Sequence, residues 1–231
     1  MTDIGIVVFP GSNCEQDVAH AADVLGISWR YIWHGERDLR GLGACRALVL
    51  PGGFSYGDYL RCGAVARFSP VMAEVIRYAE EWRPVLGICN GFQILCEAHL
   101  LPGALIRNAG LKFICKNTAL RVENWCDWLQ EPIGSVLQIP INHGEGNYYC
   151  DAATLEGLRD GSAGRVILRY CDEGGAPNGA LDNIAGISNS VGNVFGLMPH
   201  PERAVDPATS YSTDGAIFFN SVVSTLAERL L

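Results

Sequence analysis

One cysteine in this sequence stands where its chemistry can be used. Cys89 lies between Gly87 and Gly91 at the spacing G-x-C-x-G, with Val85, Leu86 and Ile88 before it and Phe92, Ile94, Leu95 and Ala98 after it. That is the nucleophile-elbow pattern with cysteine in place of serine: a buried strand, a strained turn, then a helix. Glycines two residues to either side let strand and helix approach closely. Helix amides and the helix dipole at such a junction favour the thiolate, the nucleophilic form of the group. Free cysteines are more often inert core packing, and the other eight, at 14, 45, 62, 96, 115, 126, 150 and 171, lack this setting.

A nucleophile needs a base, and five histidines are candidates. His20 falls inside a helical pattern, His34 in a charged turn and His99 at a helix end, so each reads as a surface or capping residue. His143 sits in Asn142-His143-Gly144-Glu145-Gly146, a glycine-rich loop able to line a pocket. His200 follows an apolar run and is held between Pro199 and Pro201, with Glu202 two positions on. In an extended segment residues i and i+2 point to the same side. The Glu202 carboxylate can then fix the imidazole tautomer and stabilise an imidazolium beside a thiolate. Taken alone, P-H-P-E reads as an exposed loop with a surface ion; together with the elbow it gains weight. Pro51-Gly52-Gly53-Phe54 marks a turn after a strand, and its backbone N–H can join the Asn90 amide around a developing oxyanion. These pieces specify acyl transfer through a thioester.

The surrounding pattern predicts elements able to hold them. Strands are expected over 4–9, 29–33, 47–50 and 85–88, and helices over 14–25, with Gly26 as cap, and 68–82. This alternation predicts an α/β fold, a flavodoxin-like, open, mainly parallel sheet with helices on both faces. Ligands sit at the carboxyl ends of such strands, where Gly52, Gly53 and Cys89 all fall. Further on, strands are expected over 120–122, 137–141 and 194–198. A hairpin is expected over 166–171 and 184–188 through Pro177-Asn178-Gly179, and a closing helix over 215–230.

The 231 residues, 48% hydrophobic, suit one domain over 1–231. No run is apolar enough for a membrane helix and the first residues show no signal-peptide pattern, so a cytoplasmic protein without membrane contact is expected. Nine irregularly spaced cysteines without a C-x-x-C pair argue against disulfides or a metal site. A net charge of −8 argues against nucleic acid as partner. No nucleotide-binding glycine loop is present.

G-I-C-N-G-F-Q, P-G-G-F-S-Y-G-D-Y-L-R, N-H-G-E-G and M-P-H-P-E-R together resemble the class I (triad) glutamine amidotransferases, over nearly the whole chain. Within that family the chain is similar to the branch serving de novo purine biosynthesis. The resemblance implies a glutaminase with Cys89 as nucleophile, His200 as general base and acid, and Glu202 orienting it. It implies Gln93 as a contact to bound L-glutamine, with Gly52, Gly53, Phe54, Asn90, Asn142, His143, Gly144 and Glu145 completing the pocket. Asn142 stands where the family leads one to expect alanine, and the hairpin over 170–183 is short. The ammonia would pass to a separate synthase subunit, with a small accessory subunit as a further partner. That synthase converts formylglycinamide ribonucleotide to formylglycinamidine ribonucleotide. ATP and Mg are expected on the synthase, with no cofactor in this chain, which accords with the missing nucleotide loop. The rivals are a stand-alone cysteine peptidase or γ-glutamyl hydrolase, and a cysteine redox sensor of the same fold. A redox sensor has no need of Glu202 beside His200.

Overall fold

A computed structural model describes residues 2–37 and 45–228. In chain order it comprises β1 (Thr2–Val8), α1 (Glu15–Leu25), β2 (Trp29–Trp33), β3 (Cys45–Leu50), α2 (Pro70–Glu80), β4 (Val85–Ile88) and α3 (Asn90–Glu97). There follow β5 (Ala104–Ile106), β6 (Ile114–Val122), β7 (Val136–His143), β8 (Asn147–Tyr149), α4 (Ala152–Asp160), β9 (Arg165–Tyr170), β10 (Ile184–Ser188), β11 (Val194–Leu197) and α5 (Ala216–Glu228). No helix among the described residues is long and apolar enough to cross a membrane.

Nine strands form one sheet in the order β2-β1-β3-β4-β11-β10-β9-β6-β7, while β5 and β8 pair separately. From β2 to β11 every pairing is parallel. From β11 to β7 every pairing is antiparallel. The parallel half explains its own sequence. Strands covered on both faces must be apolar at every position, and Val85, Leu86, Ile88, Val194, Phe195 and Leu197 are all fully buried. Each such side chain contributes roughly 1.5–3 kcal/mol relative to exposure. Successive residues of β11 show the two layers. The Phe195 ring stacks on Phe218 of α5 at 6.2 Å, whereas a side chain on Gly196 would overlap the Phe92 ring of α3. Adjacent strand residues face opposite sides, so α3 and α5 cover opposite faces.

The antiparallel half curls. Four strand spacings separate β11 from β7, about 19 Å on a flat sheet. Yet the His200 amide, just past β11, donates to Pro140 O in β7 at 2.8 Å. This curling carries the end of β7 and the loop after it to the carboxyl ends of the parallel strands.

Several expected boundaries move. The helix over 68–82 contracts to α2, because Phe68 lies exposed in a 3₁₀ turn and Trp82 adopts a left-handed φ of 63°. The strand at 120–122 is the end of the longer β6, whose Cys115, Lys116 and Asn117 are exposed and carry no apolar signal. The short β5 and β8 and the helix α4, capped by the Asp151 carboxylate on the Thr154 amide at 2.7 Å, add to the expected elements. Residues 229–230 of the expected last helix lie outside the described residues.

Candidate active site

Cys89 is the single residue between β4 and α3, with φ 51° and ψ −104°. A non-glycine residue in such a conformation is strained, and it persists only where its surroundings hold it. Here the holding is visible. The Cys89 amide donates to Leu197 O at 2.8 Å, which ties the elbow to β11. A Cβ on Gly87 would lie 2.6 Å from Leu95 Cδ1 and 2.7 Å from the Gly91 carbonyl carbon. One on Gly91 would overlap the Leu50 carbonyl at the end of β3. Both glycines of the motif are therefore steric requirements of the turn.

Pro51-Gly52-Gly53 follows β3 and closes against the elbow. A Cβ on Gly52 would stand 2.9 Å from His200 Cε1, 3.1 Å from Cys14 Sγ and 3.5 Å from Cys89 Cβ. Bare backbone thus fills the centre of the site. Gly53 has φ 136°, and its Cβ would lie 2.7 Å from the Asn13 amide nitrogen.

His200 leaves β11 through Met198 and Pro199, and its Nδ1 lies 2.6 Å from Glu202 Oε1, with both side chains fully buried. The expected extended geometry does not hold, because Pro201–Arg203 is a 3₁₀ turn; the turn nonetheless brings the pair together. Burial alone would depress the imidazole pKa. The Glu202 carboxylate outweighs it, reinforced by the Cys89 and Cys14 sulfurs, and holds the pKa well above the ordinary histidine value. His200 Nε2 is buried without a hydrogen-bond partner.

The remaining expected residues converge here. Asn90 Oδ1 accepts from the Ser55 amide at 3.1 Å, and its Nδ2 donates to Asp58 and to Gln93 Oε1 at 3.1 and 2.9 Å. Gln93 Nε2 donates to Glu145 O at 2.6 Å. Glu145 accepts from the Cys62 thiol at 3.2 Å and pairs with Arg107 at 3.4 Å. The backbone carbonyl of Asn142 lies 3.9 Å from Cys89 Sγ. His143 is buried, its Nδ1 3.2 Å from Asn108 Oδ1 and its Nε2 unpartnered. Burial, with the charge of His200 beside it, lowers its pKa to about 4.

Cys89, His200, Gly53, Phe54, Gln93 and residues 142–145 line one cavity of about 290 Å³. That is the low end for small-molecule sites and suits an amino acid. His20, His34 and His99 stand outside its lining; the first pairs with Asp206 and the second with the Tyr56 hydroxyl.

Three residues escaped the sequence. Cys14 precedes α1, buried, its Sγ 3.2 Å from Arg203 Nη2 and acting on the His200 ring. Burial pushes its thiol pKa up, partly offset by His200. Asp58 lines the cavity. Asn108 gathers His143 Nδ1 and the Gly146 amide on Oδ1, and its Nδ2 donates to the His143 carbonyl at 2.9 Å. Among the described residues, donor atoms of Cys14, His200 and Glu202 alone have the spacing to hold a metal, all within 4.8 Å. The hydrogen bonds of Glu202 to His200 and of Arg203 to Cys14 already use that arrangement.

A family model for a CobB/CobQ-like glutamine amidotransferase domain matches residues 2–216. The chain is 53% identical to phosphoribosylformylglycinamidine synthase subunit PurQ of Chlorobaculum parvum, over 97% of this chain and 90% of that protein. It is 55% identical to the PurQ subunit of a Synechococcus species, over 96% and 97% of the two. The structure of PurLQS from Thermotoga maritima contains a chain superposing with a TM-score of 0.86 at 41% identity, covering 98% of this chain and 100% of that one.

Proposed function

The chain belongs to the CobB/CobQ-like glutamine amidotransferase family, and on that premise we propose that it is the glutaminase subunit of a phosphoribosylformylglycinamidine synthase. The observation that carries the reading is the junction of Cys89, on its strained elbow, with the buried His200–Glu202 pair, in a chain similar over nearly its full length to PurQ subunits.

Cys89 Sγ attacks the carboxamide carbon of L-glutamine, and the carbonyl oxygen takes up negative charge against the backbone amides of Gly53 and Asn90. His200, its Nδ1–H held by Glu202, protonates the leaving nitrogen, the C–N bond of the tetrahedral adduct breaks, and ammonia departs to leave a γ-glutamyl thioester. Water then attacks that thioester with His200 as base, and glutamate is released. Gln93, oriented by Asn90 and by the Glu145 carbonyl, contacts the substrate. Phe54 and the 142–145 loop close the cavity around it. Ammonia passes to a synthase subunit that holds ATP and Mg, in a cytoplasmic complex that includes a small accessory subunit. This chain needs no cofactor of its own.

The test is to combine the purified chain with its synthase subunit and follow glutamate release and formylglycinamidine ribonucleotide together. Glutamine hydrolysis should rise on assembly, with product formed in step. Hydrolysis indifferent to the synthase would point to a stand-alone γ-glutamyl hydrolase.

A further inference from the structure

One group in the cavity wall has no role in the steps above. Asp58 lines the cavity and is half-buried, in a stretch where Tyr56, Gly57, Asp58 and Leu60 all have positive φ. Its Oδ1 accepts from Asn90 Nδ2 at 3.1 Å, and the Gly63 amide also hydrogen-bonds to the carboxylate. Both of these partners are neutral. Among the described residues no lysine, arginine or histidine forms an ion pair with Asp58, whereas Glu145 on the same wall has Arg107. Arg203, an arginine lining the cavity, is engaged by Asp17 at 3.0 Å and by Cys14. Burial raises the Asp58 pKa, and the Glu145 charge adds to that rise. A carboxylate withdrawn from water without a counter-charge is costly to the free protein. The same cavity is lined by His143, whose buried Nε2 has no hydrogen-bond partner within the protein.

The group that would relieve Asp58 is a cation brought by the ligand. Glutamine carries one, the α-ammonium, four bonds from the carboxamide carbon and about 5 Å away when extended. Asp58 lines the same cavity as Cys89. It touches Asn90, the residue after the nucleophile, and so sits one side chain beyond the reacting centre. We propose that Asp58 is the specificity-determining residue for the α-ammonium of the substrate, admitting amino-acid amides and discriminating against carboxamides that lack the amine. This rests on the glutaminase reading and deepens it. The carboxylate takes no part in bond making, so it acts on binding of substrate and transition state alike, and its loss falls on KM.

The experiment uses the assembled synthase complex and two substrates, L-glutamine and glutaramate, which has the same carboxamide and carboxylate but no α-amine. Asp58→Asn is the informative variant. Asparagine accepts a left-handed φ as readily as aspartate, and its Oδ1 can still accept from Asn90. The wild type is expected to prefer glutamine strongly in kcat/KM. In Asp58→Asn that preference should fall about 10- to 100-fold, the weight of one charge-assisted hydrogen bond, with the change in the KM for glutamine. Asp58→Glu should recover part of it. Equal losses for both substrates would mean that Asp58 only positions Asn90 and would overturn the proposal, as would an unchanged preference. A wild-type complex that forms product from ammonium and none from glutamine would instead sink the glutaminase reading, and this proposal with it.

Discussion

Two buried histidines face one cavity from different halves of the sheet, and the protein shifts their proton affinities in opposite directions. His200 follows β11 in the parallel half; His143 ends β7 in the antiparallel half. Both lose solvation. His200 meets a carboxylate at Nδ1, Glu202 at 2.6 Å, and its affinity for a proton rises. His143 meets an amide, Asn108 at 3.2 Å, and its pKa falls to about 4. With burial common to both, the Nδ1 partner separates a histidine that keeps its proton from one that sheds it. The two settings also reinforce each other, since the charge of His200 helps to keep His143 neutral. The parallel half thus holds the Cys89–His200–Glu202 cluster, and the antiparallel half contributes a neutral imidazole beside it.

The largest expected effect tests that division. Cys89→Ala should lower glutamine-dependent synthesis by on the order of 10⁴-fold or more, while synthesis from added ammonium persists. Loss of both activities in an assembled complex would place Cys89 in the synthase step and erase the contrast between the halves. Next in size, Glu202→Gln gives His200 the kind of amide partner that His143 has. Turnover at saturating glutamine should fall about 10- to 1000-fold, with a smaller change in KM. A serine triad loses about ten-thousandfold on the equivalent change, but a thiolate depends less on its base. Steady-state rates within twofold of wild type would leave His200 oriented by another group.

The acid limb of stability sharpens the other side. Unfolded, His143 binds a proton near pH 6.5; folded, it resists until about pH 4. The unfolded state therefore holds more protons between those values, and wild-type stability drops as pH falls through that window. Relative to His143→Gln, the drop should reach about 3 kcal/mol at most, read from denaturant unfolding at pH 7.5 and 4.5. Parallel curves for the two proteins would mean that His143 charges freely. The smallest effect is expected at Cys14. Cys14→Ala removes one thiol contact from the His200 ring and should slow turnover by about fivefold, the weight of a single hydrogen bond. A loss as large as that of Glu202→Gln would make Cys14 an equal partner in orienting the ring.

How much of this could be read from residues alone follows the range of the interactions. The elbow is local: Gly87, Cys89 and Gly91 crowd one another within a single turn, so their spacing shows the requirement. The His200–Glu202 pair is also local, and the pairing was legible although its backbone is a 3₁₀ turn and not an extended segment. The central parallel strands β4 and β11 announced themselves because burial on both faces leaves no polar position. Cys14, Asp58 and Asn108 were illegible for the opposite reason. Each meets the site through residues distant in sequence, Arg203, Asn90 and His143 among them. The curling that carries Pro140 to His200 is likewise a property of the whole sheet. The start of β6 was hidden because Cys115, Lys116 and Asn117 face solvent and break the apolar alternation.

The place of β11 at the middle of the sheet has a consequence for synthesis. Its neighbour β4 emerges from the ribosome roughly a hundred residues earlier, a delay of about 5–20 s at ordinary elongation rates. Through that interval one side of β4 has no permanent partner, and an unpaired strand flank is a template for wrong association. The same delay withholds His200, which follows directly on β11. A nascent or truncated chain that already displays Cys89 therefore lacks its base. On the proposed mechanism, incomplete copies of the protein spare glutamine, because the insertion that seals the sheet is also the one that brings His200 to the thiol.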